Sequence, residues 1–344
     1  MNTKKACSKN RSSLIFIAIS CLLFISEQAR AAEFGATRKV ELTYIVKVRN
    51  VPSGTMKLNL WAPLITSDQD QTITSVRLDS PYPVETHYDQ RWGNGILFMS
   101  VNNPEPEGFT FKITYKVERR EVKTGKVDYK ADHGGVDAGL FRRYLLPSRY
   151  AVINEHISKY SEEATAEAKT TMEKARSIYE FILSKMKYDK KIPGWGKGDV
   201  NRICLAIDGG KSGAGNCTDF HSFFGSLMRV QNIPVVFEMG YPLEPGKDQA
   251  EPKAGGYHCW AKFFIPGYGW IPVDISEASK DMSKKEYFFG AICENRIKFS
   301  RGRDVQLVPP QEGERLNYFG PDPYIEVDGK PFKGFERLIA YKNL

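Results

Sequence analysis

Residues 215–228 read GNCTDFHSFFGSLM, and this stretch decides how the rest of the chain is interpreted. Its large apolar side chains recur at spacings of three and four residues, as in an α-helix with a buried face. Gly215 and Asn216 form the turn that leads into this helix, which predicts that Cys217 lies in the first helical turn. Free amides and the helix dipole stabilise a thiolate there and can receive an oxyanion. The alternative is an inert buried cysteine, which is a common residue in protein cores.

A β-hairpin is predicted downstream, where residues 257–275 read YHCWAKFFIPGYGWIPVDI. If Phe264 pairs with Trp270, the two-residue period of a strand places seven apolar residues on one face. They are Cys259, which is then an inert core residue, and Ala261, Phe263, Ile265, Ile271, Val273 and Ile275. The opposite face carries His258, with Asp274 as its diagonal neighbour within side-chain reach.

These residue types together predict nucleophilic catalysis. A carboxylate beside an imidazole orients the ring and stabilises its charged form. The imidazole can then take the thiol proton and later return it to a leaving group. The sequence therefore predicts a catalytic set of Cys217, His258 and Asp274. Taken alone, the histidine and the acid could equally be unrelated surface residues.

Three stretches resemble the transglutaminase-like superfamily, and specifically its secreted bacterial members. They are GNCTDFH (215–221), GYHCWA (256–261) and GWIPVD (269–274), within a resemblance that covers about 170–330. The resemblance implies an α+β fold, with a papain-like cysteine domain whose nucleophile helix packs on an antiparallel sheet. It also implies acyl transfer through a thioester, as in crosslinking enzymes, cysteine proteases and amidases, without naming a substrate.

The resemblance also implies a role for each residue. Cys217 is the nucleophile, His258 the base and then the acid, and Asp274 the orienting carboxylate. In animal members a tryptophan upstream of the cysteine helps to hold the oxyanion, so Trp195 joins the Cys217 amide as a candidate. Animal members need calcium, but no EF-hand pattern occurs in this sequence, and we expect no cofactor.

Two alternatives from other functional classes stay open. One is a zinc hydrolase, since Cys217, His221, His258 and Asp274 could meet at one ion, although C-x-x-x-H is not a usual structural spacing. The other is a non-catalytic transglutaminase-like binding or scaffold protein of the cell envelope. Asp219, in the first helical turn, is interpreted as a capping residue.

Residues 1–31 are predicted to be a secretory signal peptide, with a basic start, an apolar run and Ala29-Arg30-Ala31 before the cleavage point. The alternative is a lipid anchor at Cys21. The leader holds five positive charges and one negative charge, so its loss lowers the formal net charge from +8 to +4. That charge does not indicate nucleic acid. We expect a periplasmic or secreted protein with a peptide or protein substrate, for which cell-envelope peptides are the candidates that this location suggests. We expect no transmembrane span in the mature chain.

The rest of the 344-residue chain divides into three predicted parts. Alternating strands, for example at 40–48 and 109–117, predict a β-sandwich over 32–122. A linker is expected over 123–160, and the catalytic domain over 161–344, beginning with a helix at 161–187 capped by Ser161.

Two further sets of residues have open roles. Disulfide pairing among Cys204, Cys259 and Cys293 is not determined by the sequence. Arg301 and Arg303 either receive a substrate carboxylate or belong to a solvated loop.

Overall fold

The computed structural model describes residues 33–125, 128 and 134–344, so the predicted leader and Cys21 lie outside the described residues. The described chain is an α+β protein, as predicted. Its strands are β1 (Glu33–Val48), β2 (Lys57–Leu64), β3 (Gln71–Asp79), β4 (Glu85–Tyr88), β5 (Gly95–Asn102), β6 (Phe109–Lys123), β7 (Met186–Tyr188), β8 (Gly213–Gly215), β9 (Val235–Pro242), β10 (Gln249–Ala254), β11 (His258–Ile265), β12 (Gly269–Val273), β13 (Ala291–Ile292), β14 (Arg296–Arg301), β15 (Tyr324–Val327), β16 (Lys330–Pro331) and β17 (Phe335–Asn343). Its α-helices are α1 (Arg142–Leu145), α2 (Glu155–Thr165), α3 (Thr171–Lys185), α4 (Val200–Asp208), α5 (Cys217–Val230) and α6 (Ile275–Lys280).

Two antiparallel sheets form a β-sandwich. One has the order β10-β17-β1-β6-β13, with β3 also paired to β6, and the other has the order β16-β15-β2-β5-β4. Alternate residues of β1, from Val40 to Val48, are buried. They share one apolar core with Leu58 and Leu60 of β2 and Met99 of β5. Period-2 alternation along these strands therefore produces the sandwich that the sequence predicts.

The C-terminal strands correct the predicted division of the chain. β17 pairs with β1 from Val40↔Asn343 to Val48↔Phe335, and β15 pairs with β2. Residues 324–343 therefore belong to the sandwich and not to the catalytic domain expected over 161–344. Without β17, that side of β1 would be left as an unpaired edge, which proteins avoid.

The predicted helix at 161–187 is two helices, α2 and α3. Ser161 is not an N-cap, because it lies buried inside α2. Thr170 caps α3, and its side chain and that of Glu173 form a capping box. The Thr-x-x-Glu spacing at 170–173 is the sequence signal for this break. The expected linker at 123–160 contains α1 and the first half of α2.

A third antiparallel sheet, with the order β12-β11-β9-β14, carries the catalytic candidates. The pairing Phe264↔Trp270 confirms the predicted hairpin register. The α5 helix packs on one face of this sheet through a core that includes Phe224 and Phe263. On the other face Trp260 lies in a cluster with Val122 at the end of β6. The sheet is thus covered on both faces, which explains why β11 is buried along both of its sides.

Candidate active site

The start of α5 positions Cys217. The Asn216 side chain accepts hydrogen bonds from the first-turn amides, including that of Thr218 at 2.9 Å, and Asp219 accepts from the Asn216 amide at 2.9 Å. This capping box confirms the predicted helix start. Within the described part of the chain, the Cys217 N–H has no hydrogen-bond acceptor. It is therefore available to an oxyanion that forms at the sulfur.

Asp219 also fixes the glycine-rich loop that precedes α4. Its fully buried carboxylate accepts from the amides of Gly196 at 2.7 Å and Gly198 at 3.1 Å, and from the Arg202 guanidinium at 3.0 Å. The capping interpretation of Asp219 was therefore right but incomplete. Trp195 lies in this loop with 38% of its surface exposed. Its role as an oxyanion donor stays a prediction.

His258 and Asp274 meet as the sequence predicts. The His258 Nε2–H donates to Asp274 Oδ2 at 2.6 Å, and both side chains are buried. The chain leaves β12 after Val273, and Asp274 becomes the N-cap of α6. Its second oxygen accepts from the Ser276 hydroxyl and the Glu277 amide, at 3.0 and 3.1 Å. The helix cap thus holds the carboxylate in place for the imidazole.

The electrostatics of the site favour a thiolate and an imidazolium. Burial alone would raise the pKa of Cys217, but hydrogen bonds from Cys259 and His258, with the His258 charge, hold it well below the ordinary value. Burial alone would lower the pKa of His258, but the Asp274 carboxylate and Cys217 raise it to about 9. Because Nε2 is engaged by Asp274, Nδ1 is the nitrogen left to exchange a proton with the sulfur.

Arg296 is a neighbour of this pair that sequence reasoning missed. Its Nε lies 3.9 Å from Asp274 Oδ2, and its terminal nitrogen lies 3.3 Å from Glu277. The guanidinium opposes burial and helps to keep the pKa of Asp274 low, after the larger effect of His258. It also lowers the pKa of His258. No sequence spacing marks it, since it comes from β14 at the far edge of the sheet.

His221 does not fit the zinc site considered above. Its Nδ1 lies 2.7 Å from the Cys217 carbonyl oxygen, which can only accept, so Nδ1 carries the proton. The Ile275 amide donates to Nε2 at 3.1 Å. Both ring nitrogens are therefore occupied, and burial lowers the pKa of the ring. Among the residues that the structure describes, no group of three or more histidine, cysteine, aspartate or glutamate side chains has the geometry of a metal site.

Cys259 lies against the nucleophile. It is buried in a cluster with Cys217, Phe237 and Met239, and its sulfur lies 3.7 Å from the Thr218 hydroxyl. Burial and the adjacent Cys217 raise its pKa well above the ordinary value, so it stays a thiol beside the Cys217 sulfur. It is in the core as predicted, but its contact with the nucleophile was not foreseen.

The surroundings of the other cysteines and of the two arginines answer the questions that the sequence left open about them. Cys204 is buried, which raises its pKa to about 12. None of the four described cysteines, Cys204, Cys217, Cys259 and Cys293, is in a disulfide. Arg303 is neither a carboxylate receptor nor part of a solvated loop. It is buried, and it donates to the Lys197 carbonyl at 2.9 Å and to the Ser222 hydroxyl. Arg301 donates to the Trp92 carbonyl at 2.7 Å.

Comparison with known proteins agrees with this geometry. Residues 158–275 match the family model described as the transglutaminase-like superfamily. This region of the chain is transglutaminase-like. All three catalytic candidates lie in the matched region, and the strands of the β-sandwich lie outside it, except for β10.

The relatives of this protein are distant. An uncharacterized protein of Haemophilus influenzae is 25% identical over 325 residues, 83% of this chain and 85% of that protein. A crystal structure from Cytophaga hutchinsonii, described as a candidate cysteine protease, is 15% identical with a TM-score of 0.54, covering 91% of this chain and all of that one. The periplasmic domain of TgpA from Pseudomonas aeruginosa is 13% identical with a TM-score of 0.34, and the match covers 72% of this chain and 91% of that one. The similarity to the Cytophaga structure shows the fold. In the described part of this chain, no helix has the length and apolar character required to cross a bilayer.

Proposed function

We propose that this protein is an exported thiol enzyme that transfers or hydrolyses the acyl group of peptide amides through a thioester on Cys217. One observation carries the proposal: Cys217 lies at a helix start against a buried His258–Asp274 pair joined at 2.6 Å. The transglutaminase-like domain supports the same chemistry and a protein or peptide substrate at a coarse level.

In the first half of the reaction the Cys217 thiolate attacks the amide carbonyl carbon. The negative charge that develops on the oxygen is stabilised by the Cys217 N–H. His258 donates its proton to the nitrogen as the C–N bond breaks, so an amine leaves and an acyl thioester remains. Asp274 keeps the ring oriented and stabilises its charged form.

In the second half an acceptor attacks the thioester carbonyl. His258, now neutral, takes a proton from water or from an amine as the new bond to the carbonyl carbon forms. The C–S bond then breaks, and the thiolate and imidazolium are restored. Water gives hydrolysis and an amine gives transamidation, and the same three residues serve both outcomes.

The decisive test is the rate of Cys217 alkylation by iodoacetamide as a function of pH, with the modified site identified by mass spectrometry. Ordinary cysteine titrates near pH 8.5, and activated cysteines titrate at about 3.5–7.5. We expect fast labelling of Cys217 below pH 7 in the wild type and its loss in His258→Ala. Cys204 is the internal control, since burial raises its pKa to about 12. An ordinary thiol profile at Cys217 in both proteins contradicts the proposal and favours the scaffold.

Export is the second part of the proposal and rests on the pattern in residues 1–31. Mass spectrometry of the mature protein isolated from its native cell tests it. An N-terminus at Ala32 supports cleavage, and an acylated Cys21 supports a lipid anchor. A full-length chain that starts at Met1 contradicts both.

A further inference from the structure

A lysine-rich segment is held directly beside the nucleophile. β7 pairs in parallel with β8, and Tyr188 lies opposite Gly215, two residues before Cys217. The Asp189 amide donates to the Gly215 carbonyl at 2.9 Å. At its other end the segment is fixed through Gly196 and Gly198 by Asp219 of α5. Both ends of residues 187–197 are therefore anchored at the start of α5, which carries Cys217.

This segment has an excess of positive charge. It contains Lys187, Lys190, Lys191 and Lys197, and Asp189 is its one acid. The Asp189 carboxylate accepts from the Lys191 amide at 2.7 Å. Within the described residues, none of the four ammonium groups lies within 4.0 Å of a carboxylate, and all four lysines are exposed. We name residues 187–197 together with Lys280 the lysine rim.

Aromatic rings lie among these cations. Tyr188 stacks on Phe220 of α5 with ring centroids 6.3 Å apart. The Lys280 ammonium lies 4.1 Å from the Tyr188 centroid, and the Lys190 ammonium lies 5.8 Å from the same centroid. Lys190 also lies 5.7 Å from the centroid of Trp195. Cation–π contacts hold the lysine stems over apolar surface and leave the ammonium groups able to bind an anion.

Both sides of the catalytic site contribute to the rim. Lys190 lies two residues beyond Tyr188, in the segment anchored beside Cys217. Lys280 is the last residue of α6, the helix that Asp274 caps. Lys280 is itself paired with Glu277 at 2.7 Å, so the unpaired charge belongs to the four lysines of the segment. Like charges repel one another within the screening length of about 8 Å at physiological salt, and a bound anion relieves such repulsion.

We propose that the lysine rim selects acidic peptides, binding their carboxylates at the lysines and their apolar groups on Tyr188 and Trp195. This inference rests on the proposed function and names its substrate class. The rim makes substrate capture dependent on the sequence around the target amide. It leaves the chemistry of Cys217 unchanged.

The test measures occupancy of the site without requiring turnover. Two probes are used, acetyl-Glu-Glu-Gln-Gly-Glu-Trp-amide and the same peptide with glutamine in place of each glutamate. Each is titrated against the rate at which iodoacetamide alkylates Cys217 in the full chain. We expect the acidic peptide to protect Cys217 at a concentration about 3- to 10-fold lower, from the usual strength of exposed ion pairs. In 1 M NaCl, where the screening length is about 3 Å, the two peptides should protect Cys217 at the same concentration.

Matched variants separate the rim from net charge. Lys190→Gln/Lys197→Gln should remove most of the preference for the acidic peptide. Lys116→Gln/Lys330→Gln removes the same charge from exposed positions on the β-sandwich and should leave the preference unchanged. Equal protection by both peptides, no protection by either, or equal effects of the two double variants overturns the proposal. None of these results alters the pH profile of Cys217 alkylation, so the proposed function is judged separately.

Discussion

His221 joins the nucleophile to the segment that carries the acid. Its Nδ1–H donates to the Cys217 carbonyl at 2.7 Å, and its Nε2 accepts from the Ile275 amide at 3.1 Å, one residue beyond Asp274. The ring is buried and neutral, and its Nε2 lies 3.8 Å from Asp274 Oδ1. It therefore sets the separation between the first turn of α5 and the cap of α6. We regard His221 as a positioning residue.

Substitution of His221 tests this role. His221→Leu leaves a buried carbonyl and a buried amide without partners, and we expect a loss of about 2–5 kcal/mol of unfolding free energy. His221→Gln keeps one donor and one acceptor and should recover most of that loss. Urea unfolding measures stability, and the pH profile of Cys217 alkylation measures positioning. A leucine variant with wild-type values in both measurements contradicts the role.

Asp274→Asn tests the orienting carboxylate. Without this charge the pKa of His258 falls from about 9, and the pKa of Cys217 rises because the imidazolium beside it is lost. We expect the midpoint of Cys217 alkylation to move to higher pH, and any peptide-amide turnover to fall about 10²–10⁴-fold. Glu277→Gln, at the neighbouring cap position, is the control. An unchanged midpoint in Asp274→Asn removes Asp274 from the mechanism.

His258 and Cys217 make opposite contributions to the pH dependence of the unfolding free energy. Because folding raises the pKa of His258, its protonation stabilises the folded state. This contribution is fully present below the unfolded pKa of about 6.5 and is lost as pH rises through the folded pKa of about 9. The lowered pKa of Cys217 gives stability that is complete above its unfolded value of about 8.5 and is lost as pH falls. Between about pH 6.5 and 8.5 the folded state holds the histidine proton and lacks the thiol proton, so these two slopes cancel.

Cys217→Ala removes the thiol contribution, together with the part of the rise in the His258 pKa that Cys217 causes. Relative to wild type, its unfolding free energy should therefore fall with rising pH between about 6.5 and 8.5, by at most about 1.4 kcal/mol per pH unit. Denaturant titrations of both proteins at several pH values measure this difference. Parallel curves for the two proteins indicate that the thiolate–imidazolium pair does not form. His258→Gln provides the control in which the histidine contribution is absent.

Asp219→Asn should loosen the loop that carries Trp195. The amides of Gly196 and Gly198 lose a charged acceptor, and the Arg202 guanidinium loses its carboxylate. We expect faster hydrogen exchange at residues 193–198 and a loss of about 2–4 kcal/mol of unfolding free energy. Exchange followed by mass spectrometry reports the loop directly. Asp199→Asn, the N-cap of α4, is the control, and equal protection in Asp219→Asn contradicts the assignment.

Chelation is expected to have no effect on the site. Both nitrogens of His221 already have hydrogen-bond partners, and His258 Nε2 is bound to Asp274. Dialysis against EDTA should therefore leave the Cys217 alkylation profile unchanged. Elemental analysis before and after dialysis is the accompanying measurement. One equivalent of bound zinc, with a profile that changes on its removal, returns the zinc hydrolase to consideration.

Periodicity and spacing in the sequence determine the local features of this protein. The i, i+3, i+4 pattern after Cys217 gives α5, and alternation around PGYG gives the hairpin register Phe264↔Trp270. Together they bring His258 and Asp274 into contact, because strand pairing and helix capping are set within a few residues. The capping box at Thr170 was equally readable but was missed.

Only the tertiary structure decides the contacts between distant segments. β17 completes the sandwich of β1, Arg296 reaches Asp274 from β14, and Asp219 holds the loop around Gly196. The two-residue period of β11 places Cys259 on the core face, and packing between distant segments places it against Cys217. Such contacts depend on how layers stack and on which buried polar groups need partners. Spacing along the chain carries no signal for them, whereas the local hydrogen bonds that start α5 and turn the hairpin are encoded by adjacent residues.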